Sequence, residues 1–155
     1  MQTFIRLIAD GLIIPIVLAG AWALWAYVPK TEKYTKYSYA LMAGLTSLLV
    51  AKLLSILYQP NTERPFELLG QKAGALYLDN PGFPSDHALF VTVIVLAVWA
   101  LTRKKKLSLL LAALALLVCV GRVLALVHTP IDVAAGVAAG LIGGLWYIRA
   151  FDKKR

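Results

Sequence analysis

The stretch "LSLLLAALALLVCVGRVLALV", residues 107–127, decides the class of fold. It carries a single charged residue, Arg122. A transmembrane helix needs about 20 consecutive, mainly apolar residues to cross a hydrocarbon core about 30 Å thick. The stretch therefore predicts a helix that spans a membrane.

The composition of the whole chain agrees with this prediction. Hydrophobic residues make up 60% of the 155 residues and charged residues only 15%, whereas about 25% of a soluble domain is charged. We expect one membrane-embedded domain over residues 1–155, because a chain of this length has no room for a soluble second domain. Its single cysteine, Cys119, excludes a disulfide framework.

Four further apolar runs lie on either side of this stretch. All the runs together predict about five transmembrane helices, at residues 7–28, 38–58, 86–102, 107–127 and 131–149. Backbone polar groups in hydrocarbon must be bonded within their own segment, and no alternating strand pattern is present. The predicted fold class is all-α, a polytopic membrane helix bundle.

The positive charges predict the orientation of this bundle. Basic residues occur between the first two predicted spans, in "RKKK" (103–106) and after the last span, at 153–155. The positive-inside rule makes these segments cytoplasmic, so we expect the N-terminus outside and the C-terminus in the cytoplasm of a multi-pass cell-membrane protein. Because the net charge of +8 is spread over separate loops, it predicts topology and no binding of nucleic acid.

Three polar clusters fall on the opposite, extracytoplasmic side. They are "ERPF" (63–66), "PSDHA" (84–88) and "GRVLALVHTPID" (121–132), which together contain both histidines of the chain. Each residue taken alone is most often a helix cap, an interface residue or a ligand of lipid head groups. Their convergence on one face favours an active site.

The residue types in these clusters suit phosphate binding. The planar fork of an arginine matches phosphate oxygens, which favours Arg64 and Arg122 as ligands. A guanidinium within an apolar span costs about 2.5–3.5 kcal/mol on insertion scales, so we expect Arg122 to have an anionic partner or ligand. Ser85 and Asp86 stand where a helix begins, and the free N–H groups at that point attract anions.

The two histidines supply the remaining chemistry of phosphoryl transfer. His128 and Asp132 are four residues apart, and Pro130 between them suits the first turn of a helix. This spacing turns the carboxylate towards the imidazole, which then serves as a nucleophile or a base. His87 could give a proton to the leaving group. The set predicts phosphoryl transfer without a metal or any other cofactor.

At these residues the chain resembles the type 2 phosphatidic acid phosphatase superfamily, membrane enzymes that remove phosphate from lipid phosphates and lipid diphosphates. The three motifs of that family are Lys-x6-Arg-Pro, Pro-Ser-Gly-His and Ser-Arg-x5-His-x3-Asp. The matching positions are Arg64-Pro65, Pro84-Ser85-Asp86-His87 and Arg122-x5-His128-x3-Asp132. The resemblance covers about residues 50–148.

The resemblance implies a role for each matching residue. His128 would be the nucleophile that forms a phosphohistidine, with Asp132 orienting it and His87 acting as the general acid. The phosphoryl oxygens would be held by Arg64, Arg122 and Ser85. The partners implied are a lipid phosphate or diphosphate and the surrounding membrane lipids, while the oligomeric state stays open.

The resemblance also ranks the substrates. With Asp86 in the second motif, the chain is similar to the branch of bacterial undecaprenyl-pyrophosphate phosphatases, so undecaprenyl pyrophosphate at the outer leaflet is the first expectation. Phosphatidic acid or phosphatidylglycerol phosphate is the alternative within enzymes. A catalytically weak protein that binds or transports lipid phosphates is the alternative from another class.

Three features depart from the family pattern. Leu57 stands where the first motif has lysine. Lys52 and Lys72 are the two candidates to supply the missing positive charge. We expect Lys52 to reach the phosphate by extending its long stem from within a span. Gly121 stands in place of the serine of the third motif. The family usually has six spans, one more than this chain.

Two features outside the motifs complete the expectations. Asp10 lies inside the first apolar run and is either a functional acid or a residue of the outer interface near Arg6; we expect the interface. Glycines recur every fourth residue in the last span and predict close helix packing within the bundle. They are Gly136, Gly140 and Gly144.

Overall fold

The protein is described by a computed structural model that covers residues 2–59, 63–80 and 82–148. These residues form helices and loops without a strand, which confirms the predicted all-α fold class. The α-helices are α1 (Gln2–Arg6), α2 (Ile13–Tyr27), α3 (Lys33–Leu57), α4 (Pro65–Leu68), α5 (Asp86–Thr102), α6 (Lys105–Leu124) and α7 (Pro130–Gly144). A π-helical turn, Leu7–Gly11, joins α1 to α2, and a 3-10 turn, Lys30–Glu32, precedes α3.

The long apolar helical stretches identify a membrane protein. Four stretches of the described chain are long and apolar enough to cross a bilayer, namely Gln2–Tyr27, Lys30–Leu57, Lys105–Leu124 and Pro130–Ile148. The fifth predicted span is α5, which is apolar but has only 17 residues. Each of the five predicted apolar runs thus lies on a helix of the bundle.

The short helix α5 occupies the centre of the bundle. It packs against α2, α3, α6 and α7. Val91 and Val98 of α5 are fully buried and meet Val118 of α6 and Ile16 of α2 in one apolar cluster. Large apolar side chains on the outer helices remain exposed, as expected where hydrocarbon takes the place of water.

The glycine repeat of α7 lets this helix approach its neighbours closely. A Cβ atom on Gly136 would lie 2.3 Å from the carbonyl oxygen of Ser85, and one on Gly140 would lie 2.8 Å from Cγ2 of Thr92. Gly144 faces Leu96 in the same way. The predicted close packing within the bundle is confirmed, and it joins the starts of α5 and α7.

The two ends of the bundle differ in their chemistry. At one end, the Nζ atom of Lys36 donates to the carbonyl of Leu101 at 2.9 Å, so the start of α3 lies beside the end of α5. At the other end, the backbone N–H of Ser85 donates to the carbonyl of Asp132 at 2.9 Å. The starts of α5 and α7, and with them both histidines, therefore lie at the end opposite to "RKKK" (103–106).

Candidate active site

A cavity of about 530 Å³ lies at the histidine end of the bundle. This volume falls within the range of ligand pockets, about 300–1,000 Å³. Residues of α3, α5, α6 and the intervening loops line it. The lining brings together six of the residues singled out by the sequence, Lys52, Arg64, Asp86, His87, Arg122 and His128.

His128 and Asp132 are held by the start of α7. The Thr129 hydroxyl accepts a hydrogen bond from the backbone N–H of Asp132, and the Asp132 carboxylate accepts one at 2.7 Å from the N–H of Thr129. This reciprocal capping fixes the carboxylate at the helix start. Its Oδ2 atom lies 3.7 Å from Nδ1 of His128, a distance of electrostatic contact that is too long for a hydrogen bond.

The environment of His128 favours the neutral imidazole. The side chain is 5% exposed, and its burial lowers the pKa of His128 below the ordinary value of 6.5. Asp132 opposes this shift, while the positive charges of Arg122 and Arg64 add to it. A neutral imidazole keeps a lone pair for nucleophilic attack.

His87 and Ser85 occupy different environments at the start of α5. The His87 side chain is 30% exposed and lines the cavity. Ser85 is fully buried, and its hydroxyl accepts from the backbone N–H of Ala88 at 3.5 Å. Ser85 is absent from the cavity lining, so the structure gives it a capping role and its contact with phosphate stays a prediction.

Arg64 binds the loops around the cavity together. Its Nη1 atom donates to the carbonyl of Val127 at 2.6 Å, and its Nη2 atom donates to the carbonyl of Leu78 and to Oδ1 of Asn80. Its guanidinium also stacks on the ring of Tyr77. These bonds make Arg64 an anchor of the cavity wall, and its contact with phosphate stays a prediction.

Arg122 has an anionic partner, as its place in an apolar helix led us to expect. The partner is Asp10, whose Oδ1 atom accepts from Nη1 of Arg122 at 2.7 Å. Asp10 was expected at the outer interface near Arg6; its side chain is only 15% exposed and pairs with Arg122. The Nε atom of Arg122 is buried without a hydrogen-bond partner among the described residues, and Arg122 also lines the cavity.

Gly121 has a steric role that its place in the motif did not reveal. A Cβ atom at this position would lie 2.9 Å from the backbone nitrogen of Ala9 and 2.8 Å from the side chain of Ile8. The space that a serine side chain would occupy is therefore filled by the π-helical turn Leu7–Gly11. Because Gly121 lacks a side chain, this turn can bring Asp10 to Arg122.

The structure distinguishes the lysines that could replace the missing motif cation. Both lysines are exposed, but Lys52 lines the cavity from α3 whereas Lys72 is absent from the lining. Leu57, at the motif position itself, is 79% exposed and also outside the lining. Lys52 is thus the lysine whose position suits phosphate binding.

One residue of the site, Asn80, escaped sequence reasoning, and so did the partner of Asp10. Asn80 accepts from the guanidinium of Arg64 at 2.7 Å and from the backbone N–H of Gly82 at 3.1 Å. The stretch "NPG" at 80–82 marks a turn, but nothing in it reveals the bond to Arg64. Asp10 was recognisable as an acid within an apolar run, yet its partner lies 112 residues away along the chain.

Comparison with known proteins identifies the class of this site. A family model of the PAP2 superfamily matches residues 33–155. Since the match covers most of the chain, the protein belongs to the PAP2 superfamily, and it is a membrane-associated phosphatase of the kind that acts on lipid phosphates. No curated protein and no solved structure matches the chain. Helices α1 and α2 lie before the matched region.

Proposed function

We propose that this protein hydrolyses a polyprenyl diphosphate, with undecaprenyl pyrophosphate as the first choice, through a phosphohistidine and without a metal. The observation that carries the proposal is the shared cavity of His87, His128 and Arg122. A nucleophile, a proton donor and a cation on one cavity are the parts that phosphoryl transfer to a histidine requires.

In the first step, Nε2 of His128 attacks the terminal phosphorus atom of the lipid. The bond from phosphorus to the bridging oxygen breaks, its electron pair stays on that oxygen, and His87 supplies the proton. Arg122 and Lys52 neutralise the negative charge on the other phosphoryl oxygens. Asp132, at 3.7 Å from Nδ1, stabilises the positive charge that develops on the imidazole of His128.

In the second step, water replaces the imidazole on the phosphorus atom. His87, which lost its proton in the first step, accepts a proton from the attacking water. The bond between phosphorus and Nε2 breaks, and inorganic phosphate leaves. His128 returns to its neutral form and His87 to its protonated form, so the cycle closes without a metal or a redox partner.

The rim of the cavity suits a lipid. Leu48, Leu76 and Leu78 line it and are each more than half exposed, so the hydrocarbon tail can remain in the bilayer beside them. The choice of a polyprenyl diphosphate rests on Asp86 and the family branch that it resembles. The extracytoplasmic position of the site rests on the basic residues at the opposite end of the bundle.

Phosphatidic acid or phosphatidylglycerol phosphate is the second candidate substrate, since the same steps cleave a monoester. Leu57 and Gly121 favour a third candidate, a weak enzyme that binds or transports lipid phosphates, because each replaces a residue of the family's phosphate site. The intact pair of His128 and Asp132 opposes this third candidate.

The proposal is tested by release of inorganic phosphate from undecaprenyl pyrophosphate and from phosphatidic acid, in detergent with EDTA. We expect release by the wild type and none by His128→Ala, since the nucleophile is lost. His87→Ala should slow release about 10²–10⁴-fold, the range of general acid catalysis. Elution as a single folded species confirms that each variant is intact.

Each other outcome separates the candidates. Release from phosphatidic acid alone would select the second substrate. Release that persists in folded His128→Ala would remove the phosphohistidine, and loss of wild-type activity in EDTA would remove metal independence. No release from either lipid by the wild type, with or without EDTA, would favour the binding or transport protein.

A further inference from the structure

We propose that Asp10 is a positioning residue of the active site, which stabilises the protonated form of His87 that donates to the leaving group. This role rests on the proposed function, in which His87 is the general acid. Asp10 belongs to the N-terminal helical segment and lies outside residues 33–155, the region that the family model matches.

Three contacts hold the Asp10 carboxylate in place. Oδ1 accepts from Nη1 of Arg122 at 2.7 Å and lies 3.9 Å from Nε2 of His87. Oδ2 accepts from the backbone N–H of Leu76 at 2.9 Å. The carboxylate thus connects the first helical segment, α6, α5 and the loop before α5, and it cannot turn away from His87 without breaking two hydrogen bonds.

The local backbone is built to bring this carboxylate inward. Asp10 lies in the π-helical turn Leu7–Gly11, and π-helical turns often mark functional sites. The missing side chain of Gly121 makes room for the turn. An acid within a membrane span is costly and is a functional candidate by default.

Each histidine of the cavity has a carboxylate close by, beside Nδ1 in His128 and beside Nε2 in His87. His128 has Asp132 at 3.7 Å, and His87 has Asp10 at 3.9 Å. The charged and titratable groups that face His87 are Asp10, Arg122 and His128. Burial and the charge of Arg122 both disfavour the imidazolium of His87, so Asp10 is the one of these three groups that stabilises it.

Binding of substrate strengthens this effect. Arg122 lines the cavity, so its guanidinium can bind a phosphoryl oxygen while Nη1 keeps Asp10. The bound phosphate neutralises Arg122, and the Asp10 charge then acts on His87 alone. When the bond from phosphorus to the leaving oxygen breaks, His87 gives its proton to that oxygen.

The test compares Asp10→Asn with Asp10→Glu and with a control, Asp79→Asn. Asp79 is exposed on the loop before α5 and absent from the cavity lining. For the lipid that the wild type hydrolyses, we expect Asp10→Asn to lower kcat about 10–100-fold, less than loss of the acid itself. KM and the inhibition constant of inorganic phosphate should change less than about threefold, and Asp79→Asn should match the wild type.

The loss of kcat in Asp10→Asn should also be larger with phosphatidic acid than with the diphosphate. The leaving group of phosphatidic acid is an alcohol, which depends more on protonation than a phosphate leaving group does.

A double-mutant cycle separates this role from a structural one. In a His87→Ala background, Asp10→Asn should lower kcat no further, because its effect passes through His87. Additive losses, an unchanged kcat, or a change confined to KM and phosphate inhibition would overturn the proposal. If Asp10→Asn does not fold, Asp10→Glu serves as the test, because it keeps the charge. This variant should retain at least about a third of kcat. A folded Asp10→Glu that is as slow as His87→Ala would overturn the proposal. A wild type inactive on both lipids would instead contradict the proposed function.

Discussion

At the scale of the residue, burial controls the protonation state of His128, the proposed nucleophile. The imidazole of His128 is enclosed by the cavity wall, and this burial lowers its pKa. The Asp132 carboxylate opposes the shift without cancelling it. As the pH falls, the folded protein therefore protonates His128 later than an exposed histidine would be protonated, and the nucleophile persists into weakly acidic solution.

This order of protonation predicts the acidic limb of the pH profile. The limb of kcat/KM that reports the free nucleophile should have its midpoint below pH 6.5, the ordinary pKa of histidine. Asp132→Asn removes the contribution that raises the pKa, so in this variant the limb should move to still lower pH while the rate falls. Rates measured from pH 4 to 8 give both midpoints, and a wild-type midpoint above 6.5 would contradict the prediction.

Single residues also mark what the sequence could and could not predict. The order of the predicted spans was sufficient to predict that His128, His87 and Arg122 lie at one end of the bundle. The sequence did not reveal that Gly121 makes room for the turn that carries Asp10, because the contact joins residues far apart in the chain. Such a contact depends on how two helices pack, and neither apolar periodicity nor motif spacing encodes that.

At the scale of the element, α7 holds together the starts of the two helices that carry the proposed site. Its glycines remove the side chains that would separate it from α5, so the backbone of Ser85 at the start of α5 bonds to Asp132 at the start of α7. The repeat of small residues was visible in the sequence and its packing was predictable. Helix bounds were less so: α3 begins at Lys33, ahead of the predicted residue 38, because its first turns are polar.

Gly136→Ala should therefore weaken both the fold and the site. The new methyl group would meet the Ser85 carbonyl oxygen at 2.3 Å, and relief requires α5 and α7 to separate, at a cost of about 1–3 kcal/mol. We expect a lower unfolding temperature and slower phosphate release. Gly44→Ala is the matched control, because a Cβ atom there meets nothing within 4 Å; alanine should be neutral or slightly stabilising at that position. Equal stability of the two variants would show that the close contact at Gly136 is unimportant.

At the scale of the whole molecule, the basic loop residues and the cavity lie at opposite ends of the bundle. The cluster at 103–106 lies at one end of the bundle, and the cavity lies at the other. If the basic end is cytoplasmic, as the positive-inside rule predicts, the phosphatase acts on lipids of the outer leaflet.

Labelling of single cysteines tests this orientation. In a Cys119→Ala background, Asp79→Cys should react with a membrane-impermeant maleimide in intact cells, because Asp79 is exposed on the cavity side. Lys106→Cys, exposed at the basic end, should react only after the cells are permeabilised. The reverse pattern would place the cavity in the cytoplasm and exclude outer-leaflet substrates.

The shortness of α5 makes bilayer thickness a control on activity. Its 17 residues, at 1.5 Å per residue, are about 26 Å long, a few ångströms less than a hydrocarbon core of about 30 Å. If this shortness leaves His87 below the level of the lipid head groups, the head group of the substrate must sink into the bundle to reach it, and a thinner bilayer shortens that path. Bilayers of short-chain lipids need less deformation than those of long-chain lipids. The same protein should therefore turn over faster in thin membranes than in thick ones.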